Sequence, residues 1–155
     1  MLRLRAAVSA DVEVIFGLIA ELADYERLSH QMVGSPEDLR RHLFGEPCFA
    51  QALLAEWDST PVAYALYFFN YSTFRCRPGL YLEDLYVRPA FRGRGIGLAL
   101  LEAVQQRALQ IGCARLEWAV LDWNQTAIDF YRRFGARPNE GWTLYRKDLP
   151  PAQPG

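Results

Sequence analysis

The stretch Leu80–Leu101 reads LYLEDLYVRPAFRGRGIGLALL and contains the clearest structural signals of the chain. Its first eight residues, Leu80–Val87, are rich in aromatic and aliphatic side chains and predict a strand. Glu83 and Asp84 are the two acids within that strand. Pro89 ends the strand, because proline cannot continue a sheet ladder.

A glycine-rich turn follows the predicted strand. Residues 92–97 read Arg-Gly-Arg-Gly-Ile-Gly, and the apolar spacing of residues 98–109 predicts a helix directly after them. Glycines let the backbone approach a ligand without a side-chain clash, and the first N–H groups of a helix favour an anion. Arg92 and Arg94 add positive charge. The pattern predicts a phosphate site; the alternative is a helix-capping turn that binds nothing.

The glycine spacing restricts the kind of phosphate ligand. A nucleotide-binding P-loop requires Gly-Lys-Ser/Thr, which this stretch lacks. A dinucleotide fingerprint requires Gly-x-Gly-x-x-Gly, whereas this turn has Gly-x-Gly-x-Gly. Glu117 follows at a distance compatible with an acid that binds ribose, so a dinucleotide site remains a weaker alternative.

Composition describes a globular protein without a strong overall charge. The 155 residues are 51% hydrophobic and 14% aromatic, and the net charge of −1 gives no strong case for a nucleic acid or membrane partner. Residues 1–58 carry a charge of −5 and residues 59–155 a charge of +4. This asymmetry would suit a cationic substrate and an anionic cofactor, although solvated faces also carry most of a protein's charge.

The cysteines and histidines give no sign of a metal or of nucleophilic catalysis. Cys48, Cys76 and Cys113 are odd in number and lack a metal-ligand spacing, which predicts reduced thiols and a cytoplasmic protein. His30 and His42 have no nucleophile pattern near them. The sequence contains neither a signal peptide nor an apolar run of membrane-spanning length.

The predicted elements form one α/β domain over residues 1–149, followed by a loose tail at residues 150–155. Their order is strand, two helices, three strands, helix, strand, helix, strand, and a doubly wound dinucleotide fold would alternate more evenly. The predicted ranges are strand 2–5, helices 9–26 and 35–44, strands 49–57, 62–71 and 80–87, helix 96–110, strand 115–121, helix 124–134 and strand 142–149.

Two segments resemble the GNAT superfamily of N-acetyltransferases. The Arg-Gly-x-Gly-x-Gly turn after Val-Arg-Pro resembles the loop that holds the diphosphate of acetyl-CoA, and residues 124–136 resemble the family's third cofactor segment. The resemblance covers nearly the whole chain and implies the GNAT fold, a mixed and mostly antiparallel sheet flanked by helices.

A closer resemblance is to the diamine acetyltransferases, which act on spermidine and spermine or on thialysine. It rests on residues 81–87, 92–97 and 121–125 and on the Glu140-Gly-Trp sequence, with support from residues 22–26 and 44–46. The run Leu-Asp-Trp-Asn-Gln at 121–125 favours the thialysine branch.

The resemblance implies a role for each matching residue. The backbone of Leu85, Tyr86 and Val87 would pair with the pantetheine arm. The remaining cofactor residues would be Arg92, Gly93, Arg94, Gly95, Ile96, Gly97, Leu98, Asn124, Thr126 and Ala127. The amine would be faced by Tyr25, Glu26, Glu83, Asp84, Glu117, Trp118, Ala119 and Glu140.

Acetyl transfer requires a proton acceptor for the amine and a donor for the departing thiolate. The resemblance implies that Tyr131 is the donor, whereas its spacing alone favours a tyrosine that packs on the sheet. Glu83 is the candidate acceptor, through a water molecule, and its alternative is a carboxylate paired with an arginine. Adjacent strand residues point to opposite faces, so Glu83 and Asp84 can share a pocket only where the strand is bulged or twisted.

We therefore expect an acetyl-CoA-dependent N-acetyltransferase that acts on a small primary amine by direct transfer, without a metal, and forms a homodimer as the family does. The short segment 137–139 and the Pro-rich tail depart from the polyamine enzymes and favour a lysine-like amine or a diamine. The alternatives are a non-catalytic acyl-CoA-binding module, a protein N-acetyltransferase of the same fold, and a nicotinamide-dependent enzyme.

Overall fold

The computed structural model describes residues 1–151, so the end of the predicted tail, residues 152–155, lies outside the described residues. The helices and strands are β1 (Leu2–Ala6), α1 (Val12–Tyr25), α2 (Pro36–Phe44), β2 (Gln51–Trp57), β3 (Thr60–Ser72), β4 (Arg77–Val87), α3 (Ile96–Ile111), β5 (Leu116–Glu117) and α4 (Gln125–Arg133). Short 3₁₀ turns lie at Ser9–Asp11, Ser29–Gln31 and Pro89–Phe91.

One five-stranded sheet has the order β1-β2-β3-β4-β5. Neighbours from β1 to β4 are antiparallel, and β5 is parallel to β4. The predicted hairpin of β2 and β3 is confirmed, with Asp58 and Ser59 at its turn. Both turn residues have positive φ, 49° and 71°, which matches the twist of a two-residue hairpin.

The chain divides into two compact units, Met1–Ala119 and a second that begins at Val120. The first unit contains the whole sheet and helices α1 to α3, and the second contains α4.

Helix α1 packs on the sheet through a row of apolar side chains. Ile15 and Leu18 are fully buried, and together with Leu22 they form a cluster with residues of β2, β3 and β4. Tyr64 of β3 is in that cluster and has no exposed surface. Burial of apolar area stabilises this layer, and it fixes the end of α1 relative to the middle of β3.

Two predicted strands differ in the structure: one is much shorter than predicted, and the other is absent from the described residues. Residues 115–121 form only the two-residue β5, which pairs Leu80 with Leu116 and Tyr81 with Glu117. Residues 142–149 form no strand in the described part of the chain, and Trp142 and Tyr145 are 77% and 90% exposed. Apolar residues can indicate a strand, but a strand also requires a neighbour that completes its hydrogen bonds.

Candidate active site

Strand β4 carries a β-bulge at Glu83. Leu82 pairs with Tyr67 and Asp84 pairs with Leu66, which leaves Glu83 without a partner residue on β3. A bulge inserts one residue, bends the strand and changes the direction of the side chains around it. Glu83 and Asp84 are therefore released from strict alternation, which is the condition under which both could serve one site.

The two acids of β4 act on a third carboxyl group, that of Glu26, which follows α1 in the chain. Burial is the largest cause that raises the pKa of Glu26, and the charges of Asp84 and then Glu83 raise it further. The charge of Glu83 likewise raises the pKa of Asp84, so the three carboxyl groups are linked by electrostatic repulsion. We call Glu26, Glu83 and Asp84 the acidic cluster.

Within the acidic cluster, Asp84 is held by a buried tyrosine. The hydroxyl of Tyr64 donates a hydrogen bond to Oδ2 of Asp84 at 2.8 Å. Burial raises the pKa of Asp84 to about 6, the hydrogen bond from Tyr64 lowers it, and the charge of Glu83 raises it. The sequence does not identify Tyr64 as a site residue, because only the register between β3 and β4 brings it to Asp84, 20 positions away.

The edge of β4 that faces β5 has no paired strand beyond Tyr81 among the described residues. Pairing between the two strands ends at Tyr81 and Glu117, and among the described residues no further strand continues it. The predicted pantetheine-binding residues 85–87 lie along this part of β4. The carbonyl of Val87 already accepts a hydrogen bond from Nε of Arg92 at 2.9 Å.

The glycine turn after β4 has the backbone that its sequence predicts. Gly93 and Gly95 have φ values of 78° and 79°, and a Cβ placed on either would meet no atom within 4 Å. The N–H of Ala99 donates to the carbonyl of Gly95 at 3.0 Å, which is the first bond of α3. The N–H groups of Ile96, Gly97 and Leu98 precede that bond and point out of the helix.

The two arginines of the turn lie on aromatic rings. The guanidinium carbon of Arg92 is 4.8 Å from the ring centre of Tyr25 and 5.7 Å from that of Tyr86. Arg94 lies 5.0 Å from the ring of Trp57. Such contacts favour the cation over the ring face, so Arg92 connects the end of α1, with the predicted amine residue Tyr25, to the start of the glycine turn.

Glu117 has partners of its own. Nε of Arg115 lies 2.9 Å from its carboxylate, and the side-chain amide of Asn70 donates to the same oxygen at 3.3 Å. This ion pair gives the carboxylate of Glu117 a countercharge at the short β5. The neighbouring Trp118 and Ala119 leave the sheet after β5.

In the second unit, Asn124 and Tyr131 lie on or beside α4. The buried Asn124 caps the helix, because its Oδ1 accepts from the N–H of Ala127 at 3.3 Å. Tyr131 is half-buried, and its ring centre is 5.4 Å from that of Phe130. Glu140 lies in an exposed turn near Gly141.

A family model described as the acetyltransferase (GNAT) family matches residues 18–136. The chain belongs to the GNAT acetyltransferase family. The match includes the acidic cluster, the glycine turn and the whole of α4.

Named relatives and solved structures agree with this membership. The GNAT chain is 45% identical to a thialysine N-epsilon-acetyltransferase of Bos taurus, over 92% of this chain and 90% of the relative. It is 30% identical to an L-ornithine N5-acetyltransferase of Arabidopsis thaliana, over 93% and 83%. An aminoglycoside acetyltransferase from a soil metagenomic sample has the same fold, with a TM-score of 0.80, 19% identity and coverage of 96% and 97%.

These findings confirm the predicted fold and enzyme class: the protein is a GNAT acetyltransferase, an enzyme that transfers an acetyl group to an amine. GNAT acetyltransferases use acetyl-CoA. In residues 1–151, no group of three His, Cys, Asp or Glu side chains is placed to hold a metal ion. The same residues contain no helix with the length and apolarity needed to cross a membrane.

Proposed function

We propose that this GNAT enzyme transfers the acetyl group of acetyl-CoA directly to the terminal amine of a small lysine-like amino acid or short diamine. The observation that carries the proposal is the acidic cluster at the bulge of β4, where Glu83 and Asp84 lie near Glu26. Alkyl amines are mostly ammonium ions at neutral pH, and clustered carboxylates attract such a cation.

The names of the relatives support this substrate class. The Bos taurus and Arabidopsis thaliana proteins are named for the N-epsilon position of thialysine and the N5 position of ornithine. Both names describe a side-chain amine of a free amino acid. We propose the same class for this chain, with polyamines as weaker substrates because segment 137–139 is short.

The residues proposed to contact acetyl-CoA come from three stretches of the chain. The turn from Arg92 to Leu98 would hold the diphosphate, since the space over Gly93 and Gly95 is open and the first amides of α3 point outward. Leu85, Tyr86 and Val87 would pair with the pantetheine, and Asn124, Thr126 and Ala127 would contact the same arm. Bound acetyl-CoA supplies a thioester carbonyl for attack.

Two side chains carry the proton transfers in this proposal. Glu83, which is exposed at the bulge, accepts a proton from the ammonium group through a water molecule, so that the neutral nitrogen attacks the carbonyl carbon. A carbon–nitrogen bond forms and the carbon–sulfur bond breaks. Tyr131 donates its proton to the departing thiolate and recovers one from the newly formed amide nitrogen through solvent.

We further propose that residues 1–149 act as one catalytic domain and that the enzyme is a cytoplasmic homodimer without a nucleic acid or membrane partner. The family match extends across both units. The cysteines form no disulfide in the described chain, which is the state expected in a reducing compartment. The exposed apolar side chains of residues 142–149, which include Leu144 and Leu149, favour a protein–protein contact.

The test is thiol release from acetyl-CoA with a panel of amines. The panel contains thialysine, lysine, ornithine, putrescine, spermidine, spermine and a short peptide, and the product is identified by mass spectrometry. We expect release with the amino acids or the short diamine. Release with the peptide alone would favour a protein acetyltransferase, and tight binding of acetyl-CoA without release for any amine would favour a binding module.

A further inference from the structure

A fully buried hydroxyl lies directly beneath the acidic cluster. Tyr64 has no exposed surface and packs among Ile15, Leu18 and other side chains of the α1–sheet layer. Its hydroxyl reaches Oδ2 of Asp84 at 2.8 Å. The ring is enclosed by packed side chains, and its hydroxyl donates to the carboxylate.

Every titratable group that acts on Asp84 either is another acid or is Tyr64. Glu83 lies on the same strand, Glu26 follows α1, and Tyr64 approaches from β3. Asp84 is absent from the seven ion pairs identified within residues 1–151. The hydrogen bond from Tyr64 is therefore the interaction that favours the ionised carboxylate in the absence of a cation.

We propose that Tyr64 is a positioning residue for the amine substrate: its hydroxyl fixes the Asp84 carboxylate in the orientation that binds the ammonium group. This inference rests on the proposed function, because it assigns Asp84 a substrate. A charged substrate supplies the countercharge that the acidic cluster lacks. Tyr64 keeps one oxygen of Asp84 engaged, so that the other oxygen is left for the ammonium group.

A purely structural explanation of the hydrogen bond is that any buried tyrosine requires a partner for its hydroxyl. The same strand contains a matched case of that kind. Tyr67 is 3% exposed, and its hydroxyl donates to Oε1 of Gln51 at 3.0 Å. Removal of either hydroxyl takes one buried hydrogen bond from β3, but only Tyr64 bonds to the acidic cluster.

The hydrogen bond between Tyr64 and Asp84 predicts how kcat/KM for the amine depends on pH. The hydrogen bond from Tyr64 lowers the pKa of Asp84 against the effect of burial. Without that bond the pKa of Asp84 rises above about 6, so the carboxylate is protonated at a higher pH. The acid limb of kcat/KM for the amine therefore shifts to higher pH in a variant that lacks the hydroxyl.

The experiment compares wild type, Tyr64→Phe and Tyr67→Phe with thialysine as the amine, from pH of about 5.5 to 9. For Tyr64→Phe we expect the amine KM to rise about tenfold near neutral pH, the effect of one lost hydrogen bond to a charged group. The acid limb shifts upward, and the KM for acetyl-CoA does not change. Tyr67→Phe retains the wild-type KM and pH profile. In an Asp84→Asn background, Tyr64→Phe has no further effect on the amine KM.

A second measurement does not depend on turnover. The side-chain carboxyl carbon of Asp84 is titrated by NMR in wild type and Tyr64→Phe, and its pKa rises in the variant. An unchanged pKa, or equal kinetic losses in both tyrosine variants, overturns the positioning role while acetylation by wild type upholds the proposed function. Absence of acetylation by wild type with every amine of the panel overturns both.

Discussion

At the scale of single residues, the two acids of the bulge differ in environment. Glu83 is exposed, whereas Asp84 is half-buried and its pKa is raised to about 6. The folded pKa of this aspartate exceeds its unfolded pKa of about 4. The ionised aspartate therefore destabilises the fold once the pH rises above the range between these two pKa values. A cost of this kind is typical of functional sites, and it separates Asp84 from Glu117, whose carboxylate has Arg115 beside it.

Tyr131 is the second single residue with a proposed catalytic role, and that role has a simple test. Tyr131→Phe removes the proton donor for the thiolate and keeps the ring beside Phe130. We expect kcat to fall by about 10² to 10³-fold, the effect of a lost acid catalyst, while calorimetry finds wild-type affinity for acetyl-CoA. Tyr71→Phe, at an exposed position of β3, is the control and retains full activity. Unchanged turnover in Tyr131→Phe would remove this residue from the mechanism.

At the scale of elements, the glycine turn and α3 form one unit of function. Both ends of α3 are bounded by glycines in left-handed conformations, Gly95 at φ 79° and Gly112 at φ 90°. A Cβ at either position meets open space. The two positions therefore have similar backbone requirements and differ in whether they face the proposed diphosphate.

The similarity of Gly95 and Gly112 allows a matched pair of variants to test the diphosphate site. Gly95→Asp places an anion against the proposed diphosphate, and we expect acetyl-CoA affinity to fall about 100-fold or more by like-charge repulsion. Gly112→Asp introduces the same side chain and a similar backbone strain at the far end of α3, and it retains wild-type affinity. Calorimetric titration measures both. Equal affinity of the two variants would refute the diphosphate site.

Local signals in the sequence predicted most elements of the fold. The cap at Ser35, whose Oγ accepts from the N–H of Asp38 at 3.2 Å, and the glycine after α3 were both identifiable from residue type. The bulge at Glu83 was not, because it depends on the register between β3 and β4. The same limit applies to residues 142–149, where the sequence predicts a strand that has no partner in the described chain.

The candidate site was predictable to a similar degree. Resemblance to a family indicates which residues to consider, and in the structure the charges of Asp84 and Glu83 raise the pKa of Glu26. The family resemblance could not indicate that Arg92 and Arg94 lie on aromatic rings, because these cation–π contacts join residues distant in the sequence. The hydrogen bond between Tyr64 and Asp84 could not be predicted for the same reason.

At the scale of the whole molecule, one ionic network connects the beginning of the chain to the sheet. Arg5 of β1 donates to both oxygens of Asp11 at 2.7 and 2.9 Å and to Glu56 of β2 at 3.0 Å. The N–H of Val8 also donates to Asp11 at 2.8 Å. The hydrogen bonds from Arg5, which are the largest cause, lower the pKa of the buried Asp11.

This network predicts how stability depends on pH. The folded pKa of Asp11 is below its unfolded value, so its contribution is complete above about pH 4, the unfolded pKa, and is lost as the pH falls through the folded pKa. We expect Asp11→Asn to lower the free energy of unfolding by roughly 2 kcal/mol at neutral pH, measured by urea denaturation. The difference decreases in acid. Asp38→Asn, which breaks the exposed pair with Arg41, changes stability by well under about 1 kcal/mol. A deficit for Asp11→Asn that is independent of pH would contradict this explanation.

The most direct test of the proposed amine site is thiol release from acetyl-CoA with thialysine, measured for wild type and Glu83→Gln at neutral pH. We expect wild type to release thiol in step with acetyl-thialysine and Glu83→Gln to be about 10² to 10⁴-fold slower, since the amine then lacks its proton acceptor. Glu102→Gln, at an exposed position of α3, retains the wild-type rate. Equal rates for wild type and Glu83→Gln, or no release by wild type, would contradict the assignment of the bulge in β4 as the amine-binding end of the site.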